Sequence, residues 1–178
     1  MKKIAVLVGS LRKASFTRRI AQKAVEMLPE NFEAEFIDLN ALPFYNQDFE
    51  ITGEYPESYI KFRQKIKEAD GVIFATPEYN RSFTAPLKNA IDIASRPTGQ
   101  NLWSNKPGLL FGVSPGNMGA FGATTHLRQV LMCLNVKLMQ SPEIYICNVH
   151  KLLDKDGNLN PDTAKFLQGA VDSFARMM

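Results

Sequence analysis

The chain has 178 residues, 45% of them apolar, with 21 Lys and Arg against 18 Asp and Glu for a formal charge of +3. That length suits one domain with a buried core, and no run approaches the roughly 20 apolar residues of a membrane span. The small positive excess is spread along the chain and makes no basic stripe for nucleic acid; Cys133 and Cys147 make no disulfide framework and, with His126 and His150, no metal-ligand spacing.

The first predicted element is a strand over Lys3–Val8, apolar at almost every position, as in strands covered on both faces. The N-terminus has two lysines, but the apolar run that follows them is strand-length and ends in a glycine turn. It is no secretory signal, and the chain reads as cytoplasmic. The turn Gly9-Ser10-Leu11-Arg12-Lys13-Ala14-Ser15-Phe16-Thr17 leads into a helix from Phe16 to about Leu28, with Ile20, Ala24, Met27 and Leu28 on one face. A strand, a polar turn and a helix start aim backbone N–H groups at one point, which is an anion site. Gly9 is read as the sharp exit from the strand. Ser10, Ser15 and Thr17 add hydroxyls, and Arg12 adds a forked cation, so the set suits a terminal phosphate. The plainer alternative is an ordinary strand-to-helix turn with Ser15 as N-cap.

Phe32–Leu39 alternates apolar and acidic residues, the period of a half-exposed edge strand. Asn40–Pro56 is long, irregular and aromatic: a flap over a cofactor, a segment docked on a partner subunit, or an aromatic-pinned surface loop. Glu57–Ala69 returns to helical spacing, with Tyr59, Phe62, Ile66 and Ala69 on one face. Val72–Ala75 is a second buried strand, ending in Thr76-Pro77-Glu78-Tyr79-Asn80. In open α/β sheets ligands sit beyond the carboxyl ends of strands. Pro77 stiffens this end, Tyr79 can lie against a flat ring, and the N–H groups of Glu78 to Asn80 can bond ring heteroatoms. The alternative is a turn with a packed tyrosine.

Thr84–Ala94 is a helix with Pro86 in its first turn. Its apolar and small residues, including Ile93, cover more than one face, which asks for burial beyond a sheet-facing stripe. Asn101–Lys106 holds the only tryptophan, Trp103. Leu109–Val113 is a buried strand ending in Ser114-Pro115-Gly116-Asn117-Met118-Gly119, where glycine permits a ring to approach the backbone. Ala120–Leu134 reads as a helix with His126 at its surface. Asn135–Met139 begins a fifth strand region that Glu143–Cys147 continues past Pro142, and Pro161 opens a last helix to about Met177. Alternating strands and helices give an α/β, doubly wound, five-stranded parallel sheet over a single domain, residues 1–178.

Gly9-Ser10-Leu11-Arg12, two spacers and Ser15 resemble the flavin-phosphate loop of the NADPH-dependent FMN reductase family of quinone, chromate and azo-dye reductases. Thr76–Asn80, Pro86–Asp92 and Ser114–Gly116 match the same family in order. Two positions depart: the family often has Asn at Thr17 and Trp at Ile93, though Thr17 still carries a hydroxyl. The resemblance implies a flavodoxin-like fold of strand order 2-1-3-4-5, with FMN at the switch point between the first and third strands. It implies FMN contacts from Ser10, Arg12, Ser15, Phe16, Thr17, Pro77, Glu78, Tyr79, Asn80, Ser114 and Gly116, and no catalytic side chain of the protein's own.

On that resemblance NAD(P)H is the electron donor and a small-molecule acceptor follows it on the same ring face in a ping-pong cycle. Quinones, azo compounds, chromate and free flavin all fit an open face. No Gly-x-Gly-x-x-Gly and no Gly-Lys-Ser or Gly-Lys-Thr turn occurs, so neither a Rossmann dinucleotide loop nor a P-loop kinase is present. Two rivals stand beside the reductase: a flavodoxin-type electron carrier, usually strongly acidic where this chain is mildly basic, and a non-enzymatic flavin-binding redox sensor. A homodimer is expected through the Thr84–Arg96 helix and the aromatic loop, with further pairing into a homotetramer left open.

Overall fold

The computed structural model describes residues 1–178. Strand β1 (Lys2–Val8) lies between β2 (Phe32–Phe36) and β3 (Gly71–Thr76), and β4 (Pro107–Val113) lies beyond β3. Every pairing is parallel, with Val6 opposite both Phe36 and Ile73 and Phe74 opposite Leu110. The order β2-β1-β3-β4-β5, with β5 at Lys137–Leu138, is the doubly wound order expected.

The far edge differs from the expected single strand. It is split into β5, beside Pro107 and Gly108, and β6 (Ile144–Ile146), beside Phe111 to Val113. Gln140-Ser141-Pro142 leaves the ladder between them, and Pro142 has no N–H to give it. At the other edge β2 stops at Phe36, short of Leu39. Ile37 still donates to the Val6 carbonyl at 3.0 Å, and then the Asp38 carboxylate accepts the Asn40 N–H at 2.9 Å and turns the chain away.

Helices α1 (Phe16–Glu26), α2 (Asp48–Thr52), α3 (Glu57–Glu68), α4 (Ala85–Ser95), α5 (Phe121–Cys133) and α6 (Pro161–Met177) follow in chain order. The side-chain alternation of β3 shows how they divide. Val72 and Phe74 face the core beneath α3, α4 and α5, while Ile73 and Ala75 face the core beneath α1 and α6. Trp103 is fully buried in the first of these cores. Its indole N–H donates to the Ile91 carbonyl at 2.8 Å, and its ring lies 5.6 Å from that of Phe74.

Residues 40–56 form the pinned surface loop, not a flap. They contain α2 and lie against α3 and α4. The buried Asn89 of α4 accepts the Tyr45 N–H at 2.8 Å and donates to the carbonyls of Leu42 and Pro43 at 3.3 and 2.9 Å. Tyr59 Oη donates to the Pro43 carbonyl at 3.1 Å, and burial pushes its phenol up to about 12. Arg96 grips Glu50 with two bonds of 2.9 Å, and Tyr45 Oη adds a third of 2.6 Å. Those bonds, first from Arg96 and then from Tyr45, hold the Glu50 carboxyl below the usual carboxylate range. The wide apolar arc of α4 is thereby covered within the protomer: Ile93 is only 2% exposed. The arc is accounted for without a second subunit.

Candidate functional site

The site begins where β1 delivers the chain to the carboxyl end of the sheet. Gly9 N–H donates to the Ala75 carbonyl at 2.8 Å and keeps the start of the loop against β3. Its φ is not in the left-handed region, so the turn does not demand glycine for its angle. Space demands it. A Cβ there would stand 2.5 Å from Thr84 Oγ1 and 2.7 Å from Leu87 Cδ1, both on the start of α4.

From Ser10 to Thr17 no backbone N–H has a protein acceptor. Ser15 is the N-cap of α1: its Oγ accepts the Arg18 N–H at 3.1 Å, and its own proton remains to be donated. The expected N-cap and the expected phosphate ligand are therefore the same hydroxyl. Ser10 and Thr17 are also buried, and neither hydroxyl is bonded to protein. The first turn of α1 holds no acidic residue, so nothing of the chain's own neutralises the positive end of the helix. Arg12 and Lys13 form no ion pair with any carboxylate. A run of unpaired donors, three hydroxyls and a free guanidinium is the donor set a phosphate dianion requires.

The second wall comes from the end of β3. Asn80 and Arg81 both take left-handed φ, 51° and 67°, and Tyr79 and Ser82 exchange N–H···O bonds of 3.0 and 3.1 Å around them. Two such residues in succession make a tight hairpin turn. The turn corrects one expectation. The Tyr79 N–H is spent on Ser82, which leaves those of Glu78 and Asn80 without protein acceptors. The Glu78 carboxylate accepts the Ala123 N–H at 3.1 Å in the first turn of α5, where the helix dipole favours an anion. That bond ties the second loop to the third. Tyr79 is 50% exposed and offers its face to solvent. Ser82 Oγ lies 3.1 Å from Nδ1 of the exposed His126, so the His126 ring touches this loop rather than the cleft.

The third wall follows β4. Gly112 there admits no side chain, because a Cβ would sit 2.4 Å from the Gly119 carbonyl. Ser114 Oγ accepts the Gly116 N–H at 3.0 Å. The three loops enclose a cleft of about 210 Å³. Ser10, Arg12, Ser15, Phe16, Thr17, Pro77, Glu78, Tyr79 and Ser114 line it, as the sequence reading grouped them. Asn80 and Gly116 do not: Asn80 is at the tip of its hairpin, and the Gly116 N–H is turned back onto Ser114. Val113 and Pro115 line the cleft in addition. Both flank Ser114, and their signal was only that position at a strand's carboxyl end. Tyr79, half exposed, gives the cleft wall accessible apolar surface.

The family model for NADPH-dependent FMN reductase matches residues 2–151. A quinone reductase of Pseudomonas putida is 46% identical over 172 residues, covering 97% of this chain and 92% of the relative. A 2-hydroxy-1,4-benzoquinone reductase of a Burkholderia species is 44% identical over 174 residues, covering 97% and 94%. Among solved structures, the flavoenzyme NAD(P)H:(acceptor) oxidoreductase FerB of Paracoccus denitrificans superposes with a TM-score of 0.92 at 39% identity, covering 99% of this chain and 96% of that one. Matched by the family model over residues 2–151 and by a 46% identical relative over 97% of its length, the chain belongs to the NADPH-dependent FMN reductase family.

Proposed function

We propose that this protein is an FMN-dependent NAD(P)H oxidoreductase that reduces quinones, with residues 1–178 acting as one domain and the cleft at the carboxyl ends of β1, β3 and β4 as the flavin seat. The observation that carries this reading is the unbroken run of N–H groups from Ser10 to Thr17 with no protein acceptor, at a helix start with no acid of its own. FMN held there supplies the two-electron chemistry that links a nicotinamide to an acceptor.

The chain's own residues have binding and orienting work. Ser10, Ser15 and Thr17 donate to phosphate oxygens, and Arg12 supplies the charge. The Glu78 N–H meets a polar edge of the ring, and the Glu78 carboxylate holds that loop against α5. Tyr79 presents accessible apolar surface in the cleft wall, which suits a flat, weakly polar acceptor such as a quinone. Azo compounds, chromate and free flavin remain candidate acceptors through the family alone. No helix is long and apolar enough to cross a membrane, and both cysteines are free. Free thiols fit a reducing, cytoplasmic location.

A homodimer is part of this reading, on a narrower basis than α4. Phe44 and Ile51 on the pinned loop are 79% and 78% exposed, and apolar groups so placed suit an interface core. Light scattering through a dilution series should give a dimer mass that Phe44→Asp lowers to that of a monomer.

The function is tested on the purified protein by its absorption spectrum and by anaerobic addition of NADPH. A yellow protein that releases FMN on heating, bleaches with NADPH and is reoxidised by benzoquinone supports the reductase. A yellow protein that NADPH does not bleach is an electron carrier or sensor instead, and a colourless protein that takes up no FMN contradicts the reading.

A further inference from the structure

A second recess opens on the other side of the phosphate loop. It lies between residues 10–13 and the carboxyl end of β2, residues 36–40, and measures about 510 Å³. That exceeds the flavin cleft, at about 210 Å³, and falls in the range of about 300–1,000 Å³ usual for small-molecule sites. Ser10 and Arg12 border both, so the groove continues from the phosphate end of the cleft.

Its chemistry is specific. Arg12, Lys13 and Arg18 line it, and none of the three is paired with a carboxylate. The one acid in the groove is Asp38. Its Oδ1 accepts the Asn40 N–H, and its Oδ2 has no protein partner. The Arg18 guanidinium lies 5.0 Å above the Phe36 ring, which leaves a flat cationic surface, and the apolar Leu11 is 50% exposed at the edge. Planar guanidinium stacks on aromatic rings and binds phosphate with its fork. In nucleotide-binding α/β folds the acid at the end of the second strand takes ribose hydroxyls, and nearby arginine takes an added phosphate. This groove combines both chemistries beside a flat surface for a base.

We propose that the groove binds the adenosine-phosphate end of a nucleotide. The phosphate meets Lys13 and Arg18, the ribose hydroxyls meet Asp38 Oδ2, and the purine lies over Arg18 and Leu11. The proposal rests on the reading of the neighbouring cleft as the FMN seat. Two ligands carry this chemistry: NADPH, through its adenosine 2′-phosphate, and FAD, through its adenylate half.

The test is calorimetric titration of the FMN-loaded protein with adenosine 2′,5′-bisphosphate, for the wild type, Lys13→Glu and Asp38→Asn. The wild type should bind it, and Lys13→Glu should weaken binding by at least about tenfold, the loss of one hydrogen bond to a charged group. Asp38→Asn should weaken binding less, and both variants should keep full FMN content. If NADPH is the source, Lys13→Glu raises KM for NADPH and leaves KM for NADH unchanged. If FAD is the source, Lys13→Glu weakens FAD binding to the apoprotein and leaves FMN binding unchanged. Either result supports the groove. Absence of binding at millimolar bisphosphate, or equal binding by wild type and Lys13→Glu, overturns it while FMN content and quinone reduction leave the proposed function standing. A protein that takes up no FMN overturns both.

Discussion

Residues 10–17 and residues 40–56 are both polar surface connections, and they dispose of their hydrogen bonds in opposite ways. In the first, backbone donors, two hydroxyls and the Arg12 guanidinium find no partner within the chain. In the second, Asn89, Tyr59, Tyr45, Glu50 and Arg96 bind the loop to α3 and α4 through backbone carbonyls, an amide and an ion pair. Buried polar groups are normally satisfied internally. Donors left open in a concave, partly buried turn are therefore the mark of a ligand, and internally closed ones are the mark of a support. The aromatic loop attracts attention in the sequence, but it is the quieter turn that leaves its donors open.

Substitutions should separate the two regions, and the largest effect is expected at the support. Asn89→Ala removes three hydrogen bonds from a residue that is 8% exposed. At about 1 kcal/mol for each bond, more where a group stays buried and unpaired, the apoprotein should lose about 2–4 kcal/mol. Urea unfolding of the FMN-free protein measures this, and its FMN affinity should stay near wild type. Arg12→Ala should do the reverse. FMN binding should weaken by about 1.5–3 kcal/mol, the range for a hydrogen bond to a charged group, with the urea midpoint of the apoprotein unmoved. Fluorescence titration with FMN gives the first quantity.

Gly9→Ala should break the clean division. Its Cβ would press on Thr84 and Leu87, and overpacking of this kind costs about 1–3 kcal/mol. The phosphate loop would shift with it, so stability and FMN affinity should fall together. A variant that lowers only one of them would separate packing from binding at this position.

The smallest effect is a pH dependence. Arg96 and Tyr45 hold the Glu50 carboxyl below its ordinary value. A depressed carboxylate adds stability above its unfolded-state pKa, and that stability is lost as pH falls through the folded-state value. Glu50→Gln should therefore lie below wild type in melting temperature at neutral pH, and the gap should close in acid. A gap independent of pH would assign the loss to packing. Because the pair is partly exposed, the difference should be modest and should shrink in salt.

Much of this was legible in the chain. The buried strands announced themselves by unbroken apolar runs, such as Val72–Ala75, and the phosphate turn by glycine, hydroxyls and arginine after a strand. Other features depend on contacts distant in sequence. Asn89 sits within the helical run Leu87–Ala94 and is a buried polar residue because residues 42–45 cover it. The open Glu78 N–H was legible from its place after Pro77 at a strand end, whereas the bond of its carboxylate to the Ala123 N–H on α5 was not. The role of Gly9 was legible as glycine but not as space, since Thr84 and Leu87 approach it only in the folded sheet. The split of the far edge follows from Pro142, whose missing N–H was visible, though which residues of β4 each half would pair with was not. The wide apolar arc of α4 is legible in its sequence, whereas the loop packed on it within the protomer is not.

The central claim is that the open donors of residues 10–17 hold the flavin phosphate while residues 40–56 take no part in binding the flavin. Amide NMR of the ¹⁵N-labelled apoprotein titrated with FMN addresses both halves in one experiment. The account predicts the largest shifts at the amides of Ser10 to Thr17, with smaller ones at Glu78 and Asn80 and none at Leu42 to Thr52. Large shifts at Leu42 to Thr52 with Ser10 to Thr17 unmoved would contradict it.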